Sequence, residues 1–201
     1  MQKLNIFLST ILIANVVNAK NVLIIESQGI PCNITMPGKN IAKHKINCSK
    51  HANIIYNIIA NNVPKSTKID YCGFSDTKEY YHCLKLVKNY DIVNMSLSGP
   101  YPLDKKEYIL LNSISKSTTI VIAAGNDGQN RLGFPAAYAK SILNIKPISA
   151  LDDRGKRLPT SNYNSFSIDF YGITVYNKEI VTGTSIAAAH YTNMLIKSSK
   201  P

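Results

Sequence analysis

The chain has 201 residues, 45% of them hydrophobic, which suits a single domain with its own core. Its formal net charge of +11 comes mostly from lysines spread along the chain in ones and twos, such as Lys43/Lys45 and Lys85/Lys88. Because no basic run is interleaved with aromatic residues, the charge argues against nucleic-acid binding and for a solvated, lysine-rich surface.

The first 19 residues have the pattern of a cleaved signal peptide. Lys3 precedes a short apolar run over Ile6–Val17, and small residues lead out of it to Ala19. The run is too short to be a membrane-spanning helix, and no second candidate follows. We therefore expect one mature domain over residues 20–201, secreted or periplasmic and without a membrane span.

The mature chain begins with a continuous apolar, β-branched run over Asn21–Ile25, which predicts a fully buried strand of a parallel sheet. The strand ends in a polar turn that starts at Glu26. Acidic groups at the carboxyl ends of central strands often belong to catalytic or ligand sites in α/β proteins. An ordinary carboxylate in a strand-ending turn explains Glu26 equally well at this point.

The cysteines Cys32, Cys48, Cys72 and Cys83 make an even number in a chain predicted to be exported, which favours disulfides. Metal ligation is less favoured because the sequence contains no Cys-x-x-Cys motif or Cys/His cluster. Pairing of neighbours, Cys32 with Cys48 and Cys72 with Cys83, would close the shortest loops. We favour that arrangement, although the sequence does not choose among the three pairings that four cysteines allow.

Helical and strand-like segments alternate along the rest of the chain. Helical periodicity covers residues 49–62 and places His51 in the first turn, where a lone histidine is most often a surface residue. The other predicted elements are strands at 66–72, 91–97, 118–124 and 141–148, and helices at 79–90 and about 105–117. This alternation predicts an α/β fold with a mainly parallel central sheet and helices on both faces.

A Gly183-Thr184-Ser185 turn leads directly into an alanine-rich helical segment that reaches His190. A serine hydroxyl in the first turn of a helix lies beside unpaired backbone N–H groups and the positive end of the helix dipole, so an oxyanion formed there is stabilised. The pattern therefore indicates a nucleophilic serine. The alternative is an ordinary Thr/Ser cap on a buried helix.

Asn126 ends the strand at 118–124 on a glycine-flanked turn, from which its amide could reach a developing oxyanion. With Glu26, His51 and Ser185 it completes a set of acid, base, nucleophile and oxyanion donor. These are the groups that acyl transfer requires.

The chain resembles the subtilisin-like serine proteases, or subtilases, and its candidate acid, histidine and serine stand in the family's order. Three segments carry the resemblance. Gly183–Ala187 matches the nucleophile motif, and His190 matches the histidine just beyond it. Ile122–Gly128 resembles the segment that carries the oxyanion asparagine, and Asp91–Gly99 resembles the strand that lines the substrate cleft. The resemblance extends over about residues 21–197 and implies a three-layer, subtilisin-like fold.

The resemblance also implies a role for each candidate residue. Ser185 would be the nucleophile, and His51 would be the general base and later the general acid. Glu26 would orient the imidazole and stabilise its charged form. The Asn126 side chain and the Ser185 backbone N–H would form the oxyanion hole.

An extended peptide would bind as an added strand between two edges of the cleft, again by resemblance. The predicted substrate-binding residues are Gly73, Phe74, Ser96, Leu97, Ser98, Gly99, Ala124 and Gly125. Because the pocket walls at 96–98 and 123–125 carry no charge, we expect a mainly apolar preference before the scissile bond. Asp127 could allow a basic residue there.

The chain departs from the family pattern at three places. The family has aspartate at the position of Glu26, although glutamate is the acid in some hydrolase triads. Ala52, Asn53 and Ile54 replace the glycine, threonine and histidine that follow the family's catalytic histidine. Ala189 stands where the family usually has proline.

Two main hypotheses follow from these patterns. The first is a secreted serine endopeptidase with a Glu-His-Ser triad, and the second is a catalytically weak or inactive subtilase-fold protein that binds peptides or proteins. A third, a basic surface-binding protein, depends on the net charge alone. We expect a polypeptide partner, a monomer and no cofactor; calcium is common in the family, but no carboxylate cluster marks a site.

Overall fold

The computed structural model describes residues 20–27, Gly29, Pro31 and residues 48–198. The predicted signal peptide and Cys32 lie outside the described residues. The strands are β1 Asn21–Ser27, β2 Lys68–Phe74, β3 Ile92–Met95, β4 Thr119–Ala123, β5 Ile145–Leu151, β6 Ile168–Tyr171, β7 Ile173–Tyr176 and β8 Glu179–Thr182. The α-helices are α1 Lys50–Ala60, α2 Thr77–Leu86, α3 Lys105–Asn112 and α4 Thr184–Ser198.

Six of the strands form one parallel sheet in the order β2-β1-β3-β4-β5-β6. β7 and β8 form a separate antiparallel hairpin. The predicted α/β fold with a mainly parallel central sheet is therefore confirmed. The non-sequential order brings β1 into the middle of the sheet beside β3, as its uninterrupted apolar sequence requires.

Helices cover both faces of the sheet, as predicted. Side chains of β1 alternate between them: Leu23 and Ile25 pack into a core with α2, and Val22 and Ile24 pack into a second core with α1 and α4. All four of these side chains are fully buried. A strand buried on both faces cannot show a polar alternation, which explains why β1 appears in the sequence as one apolar run.

The structure corrects several predicted boundaries. The helix predicted to about residue 117 ends at Asn112, the helix predicted over 79–90 covers Thr77–Leu86, and the strand predicted over 66–72 covers Lys68–Phe74. The segment predicted as a strand over 141–148 forms β5 only from Ile145, and β5 continues to Leu151. Its first residue in the ladder with β4 is Ile145, opposite Ile120, so pairing decides where the strand starts. The four-residue strands β6, β7 and β8 were not predicted, because such short segments show no clear period.

A disulfide joins Cys72 at the end of β2 to Cys83 in α2, as we favoured from the sequence. Cys48 is also disulfide-bonded. Within the described part of the chain, no helix is both long enough and apolar enough to cross a bilayer.

Candidate active site

A cavity of about 470 Å³ opens at the carboxyl ends of β1, β3 and β4. The parallel register explains its position: Ile25 lies opposite Met95, and Met95 lies opposite Ile122, so the residues that follow these strands emerge at one edge. The amino ends of α1 and α4 reach the same edge. Glu26, His51, Asn126 and Ser185, which are distant in the sequence, all line this cavity.

Glu26 and His51 are in direct contact. Glu26 is almost completely buried, and its Oε2 lies 3.0 Å from Nδ1 of His51. This oxygen has no other hydrogen-bond partner among the described residues, whereas Oε1 accepts from the Ser27 backbone N–H at 3.0 Å. Ser49 caps α1 by accepting from the Ala52 N–H and so holds His51 in the first turn.

The environment of His51 favours its protonated form. Partial burial lowers the pKa of the imidazole, but the hydrogen bond and the negative charge of Glu26 outweigh it, so the pKa lies above its ordinary value. Because Glu26 occupies Nδ1, Nε2 is the nitrogen that remains for a proton from the cavity. His51 is therefore arranged as a base whose protonated form Glu26 stabilises.

Ser185 lies in the first turn of α4, directly after Gly183 and Thr184. Gly183 has a φ of 142°, and a Cβ there would lie 3.2 Å from Asn126 Oδ1, so the turn needs glycine. The Ser185 hydroxyl donates to the backbone carbonyl of Ser96 at 3.1 Å, and no hydrogen bond joins it to His51. The nucleophile candidate thus lines the same cavity as His51, but its hydroxyl is turned towards the residue that follows β3.

Asn126 is oriented by Thr184. Its Oδ1 accepts from both the backbone N–H of Thr184, at 3.0 Å, and the Thr184 hydroxyl, at 3.1 Å. The Thr184 hydroxyl in turn accepts from the Gly125 N–H at 3.2 Å. With the amide oxygen used in this way, Nδ2 is the group of Asn126 that is left to donate, and Asn126 lines the cavity. That is the orientation an oxyanion donor needs.

Sequence reasoning missed Asn162, which is almost completely buried behind this loop. Its Oδ1 accepts from the backbone N–H groups of Asp127 (3.0 Å) and Gln129 (2.9 Å), and its Nδ2 donates to the Asp127 carboxylate at 3.0 Å. A Cβ on Gly125 would lie only 2.4 Å from Asn162 Nδ2, so glycine is required at this contact as well. No pattern in the sequence marks Asn162, because all of these contacts cross more than thirty residues.

The predicted substrate-binding residues divide into two groups. Ser96, Leu97, Ser98 and Gly99 line the cavity, and so do Ala123 and Asp127. Ala124 and Gly125 are buried between Ala123 and Asn126 and do not line it. Gly73 and Phe74 lie opposite Glu26 and Ser27 in the β1–β2 ladder but outside the cavity lining, and the Phe74 ring packs against Tyr80.

Comparison with protein families identifies the family of this chain. A model of the Subtilase family matches residues 43–199, and the chain therefore belongs to the subtilase family. The match begins after Glu26, so the position of the acid depends on its contact with His51 rather than on the family match.

Curated relatives match about half of the chain. The Major intracellular serine protease of Bacillus subtilis is 30% identical over 121 residues, which are 52% of this chain and 35% of the relative. The M-protease of Shouchella clausii is 28% identical over 119 residues, 55% of this chain and 30% of the relative. Subtilisin-like protease 1 of Pseudogymnoascus destructans is 29% identical over 113 residues, 51% of this chain and 27% of the relative. The alignments thus span about a third of these relatives' own lengths.

Solved structures share the fold over most of the chain. A cold adapted subtilisin-like serine proteinase superimposes with a TM-score of 0.68 at 16% identity, covering 89% of this chain and 75% of that one. The self-cleaved protease domain of PatA superimposes with a TM-score of 0.65 at 20% identity, covering 91% and 80%. The subtilisin-like fold expected from the sequence is confirmed.

Proposed function

We propose that this protein is a secreted serine endopeptidase that hydrolyses peptide bonds through an acyl-enzyme, with Glu26, His51 and Ser185 as its triad. The observation that carries the proposal is the 3.0 Å contact of buried Glu26 with His51 in the cavity that also holds Ser185. Membership of the subtilase family supports it.

The reaction begins when the Ser185 hydroxyl leaves the Ser96 carbonyl and turns towards Nε2 of His51. Its Oγ attacks the carbonyl carbon of the peptide bond as its proton passes to Nε2. The resulting oxyanion accepts hydrogen bonds from Asn126 Nδ2 and the Ser185 N–H. The intermediate collapses when the C–N bond breaks and His51 returns the proton to the leaving amine. Water then repeats the sequence on the Ser185 ester and releases the acid.

Glu26 supports this cycle through charge. Protonation of His51 during attack creates an imidazolium next to a buried carboxylate, and the attraction between them stabilises the transition state in which that charge develops. Nucleophile, base, acid and oxyanion donor are all supplied by the chain itself, so we propose that the chemistry needs no cofactor.

The proposed location is outside the cytoplasm. The Cys72–Cys83 disulfide and the disulfide-bonded Cys48 support an oxidising compartment, in agreement with the signal peptide predicted from the sequence. The substrate that fits the cavity best is an extended polypeptide, which would lie along Ser96–Gly99 and place a mainly apolar side chain against the uncharged residues 96–98 and 123, with Asp127 allowing a basic one. We propose that the protein acts as a monomer.

The test is labelling of the secreted protein with a fluorophosphonate probe, which reacts only with an activated serine. We expect the wild type to be labelled and Ser185→Ala to remain unlabelled. Glu26→Asp, run beside them, should be labelled faster if glutamate is a working but suboptimal acid. Absence of labelling in a wild type whose circular dichroism shows it to be folded would contradict the proposal.

One observation favours a second candidate, a catalytically silent peptide-binding protein. In the structure Ser185 donates to Ser96 rather than to His51. Hydrogen bonds between nucleophile and base are often loose in unliganded enzymes, so we rank this candidate second. Peptide hydrolysis that disappears in Ser185→Ala would exclude it, whereas equal peptide binding by both proteins without hydrolysis would favour it.

A further inference from the structure

A continuous chain of buried hydrogen bonds lies behind Ser185 and connects α4 with β3. The hydroxyl of Thr192 donates to Asn94 Oδ1 at 3.0 Å, and Asn94 Nδ2 donates to the hydroxyl of Ser96 at 2.9 Å. The Ser96 hydroxyl then donates to the backbone carbonyl of Ser185 at 3.0 Å. Thr192 and Asn94 are fully buried and Ser96 is nearly so, so water does not compete for these bonds.

The donor and acceptor of each hydrogen bond determine the donor and acceptor of the next hydrogen bond. A carboxamide has one acceptor end and one donor end, so donation from Thr192 to Oδ1 turns Nδ2 of Asn94 towards Ser96. The Ser96 hydroxyl, which accepts from Nδ2, gives its own proton to the Ser185 carbonyl. With the amide reversed, Oδ1 would face Ser96 and would compete with Ser185 for that proton. Thr192 therefore selects the orientation of Asn94 in which the bond to Ser185 forms.

This chain of hydrogen bonds also holds α4 at two positions along the helix. Thr192 lies seven residues after Ser185 in α4, about two turns further along the helix. Ser96 holds the first turn in both directions, because its hydroxyl donates to the Ser185 carbonyl and its own carbonyl accepts from the Ser185 hydroxyl. Contacts at both positions restrain the tilt of α4 against β3. The segment along which the peptide would lie follows β3 directly.

A buried threonine in a helix does not need such a partner. Its hydroxyl is commonly satisfied by the backbone carbonyl four residues earlier in the same helix. Thr192 donates to a side chain of another element instead. The hydrogen bonds in such a chain strengthen one another in an interior without water, and the loss of one bond leaves a buried polar atom unpaired.

We propose that Thr192 is a positioning residue for Ser185, acting through Asn94 and Ser96 to hold the Ser185 backbone where its hydroxyl can turn to His51 and its N–H can donate to the oxyanion. Thr192 touches neither substrate nor the reacting atoms. The inference depends on the proposed peptidase function, because it concerns the same serine.

Thr192→Val tests it, because valine keeps the shape of threonine and removes only the hydroxyl. Thr118→Val is the matched control. Thr118 is equally buried and donates to the Tyr90 carbonyl at 2.9 Å, but it precedes β4 and so lies at the opposite edge of the sheet from the cavity. Thr192→Ser keeps the hydroxyl and should restore function.

The measurements are the rate of fluorophosphonate labelling, kcat and KM for peptide hydrolysis, and the thermal midpoint. Small displacements of a reacting group cost up to about a hundred-fold in rate, so we expect Thr192→Val to label about ten-fold more slowly with a similar fall in kcat. KM and the pH of half-maximal rate should not change, since the Glu26–His51 pair is not part of this chain of hydrogen bonds. Thr118→Val should lose comparable thermal stability and keep the wild-type rate.

The outcomes separate the inference from the function on which it depends. Labelled wild type together with a folded Thr192→Val that labels at the wild-type rate would overturn the inference alone. So would an equal loss of rate in Thr118→Val, which would indicate general loosening. A folded wild type that is not labelled at all would overturn both.

Discussion

The two halves of the candidate site are held in different ways. On the β1–α1 side, a nearly buried Glu26 carboxylate meets the partly exposed imidazole of His51, and both their hydrogen bond and the negative charge of Glu26 favour the protonated imidazole. On the β3–α4 side, Ser185 is held by neutral hydrogen bonds to Ser96. In the proposed mechanism the acid and base therefore already have the contact that they need, whereas the nucleophile must exchange one hydrogen bond for another before it reacts.

The two kinds of contact should affect catalysis in different ways. A buried carboxylate in contact with an imidazole changes the energy of protonating that imidazole, so its loss should change rate and pH dependence together. Neutral bonds hold atoms in place and should affect rate without affecting pH dependence.

The largest expected effect comes from breaking the charged half. Glu26→Gln keeps the size of the side chain but removes its charge, and an amide N–H donated to Nδ1 of His51 would leave the imidazole proton on Nε2, where the base must accept one. An equivalent change in a serine triad lowers kcat about 10⁴-fold, and we expect a loss of that order in peptide hydrolysis. A loss of less than about ten-fold would show that Glu26 is not the triad acid.

The pH profile of kcat/KM provides the matching control. Activity needs neutral His51, so the rate rises as pH increases through its pKa. Glu26 raises that pKa, so in Glu26→Gln the half-maximal rate should move to lower pH. Glu107→Gln changes an equally buried carboxylate that instead accepts from Tyr80 and Tyr138, and it should leave the midpoint where it is.

An intermediate effect is expected at the oxyanion donor. Asn126→Ala removes the Nδ2 that is left to donate while Thr184 bonds to the amide oxygen, and the loss of one such donor costs about 10²- to 10³-fold in kcat. KM should change little, because the donor acts on charge that develops only in the transition state. Gln129→Ala, a change in the same loop outside the cavity lining, is the control. An equal fall in kcat for Gln129→Ala would assign the effect to the loop rather than to the donor.

The smallest effect is expected at a solvent-exposed ion pair next to His51. Lys50, the neighbour of His51 in α1, forms an ion pair with Glu179 at the start of β8, but both side chains are more than half exposed. Water and salt screen such pairs, so Lys50→Ala should leave kcat and the thermal midpoint unchanged within error. A fall in kcat would mean that the hairpin position, and not only the buried pair, supports His51.

Much of the site could be predicted from the sequence for a simple physical reason. The residues after β1, β3 and β4 had to meet, because the carboxyl ends of neighbouring parallel strands share one edge of the sheet. The strand pattern alone therefore places Glu26, Ser96 and Asn126 together. Ser185 could be recognised because a glycine turn before a helix is a local feature.

Other features could not be predicted, because they depend on distant contacts. Asn162 and Thr192 look like ordinary polar residues in the sequence, and each acquires its place only when strands or helices far apart in the chain pack together. Phe74 belonged to a family-like segment, but in the structure its ring packs on Tyr80 outside the cavity.

By itself, the sequence determined the α/β class, the buried central strands and the edge at which the candidate acid, base, nucleophile and oxyanion donor meet. These depend on local periodicity and on strand order along the chain. Only the tertiary structure decided that Glu26 reaches His51 at 3.0 Å, and that Ser185 turns towards Ser96. Hydrogen-bond partners are chosen by distances of a few tenths of an ångström, and those are set by the packing of the whole core rather than by neighbours in sequence.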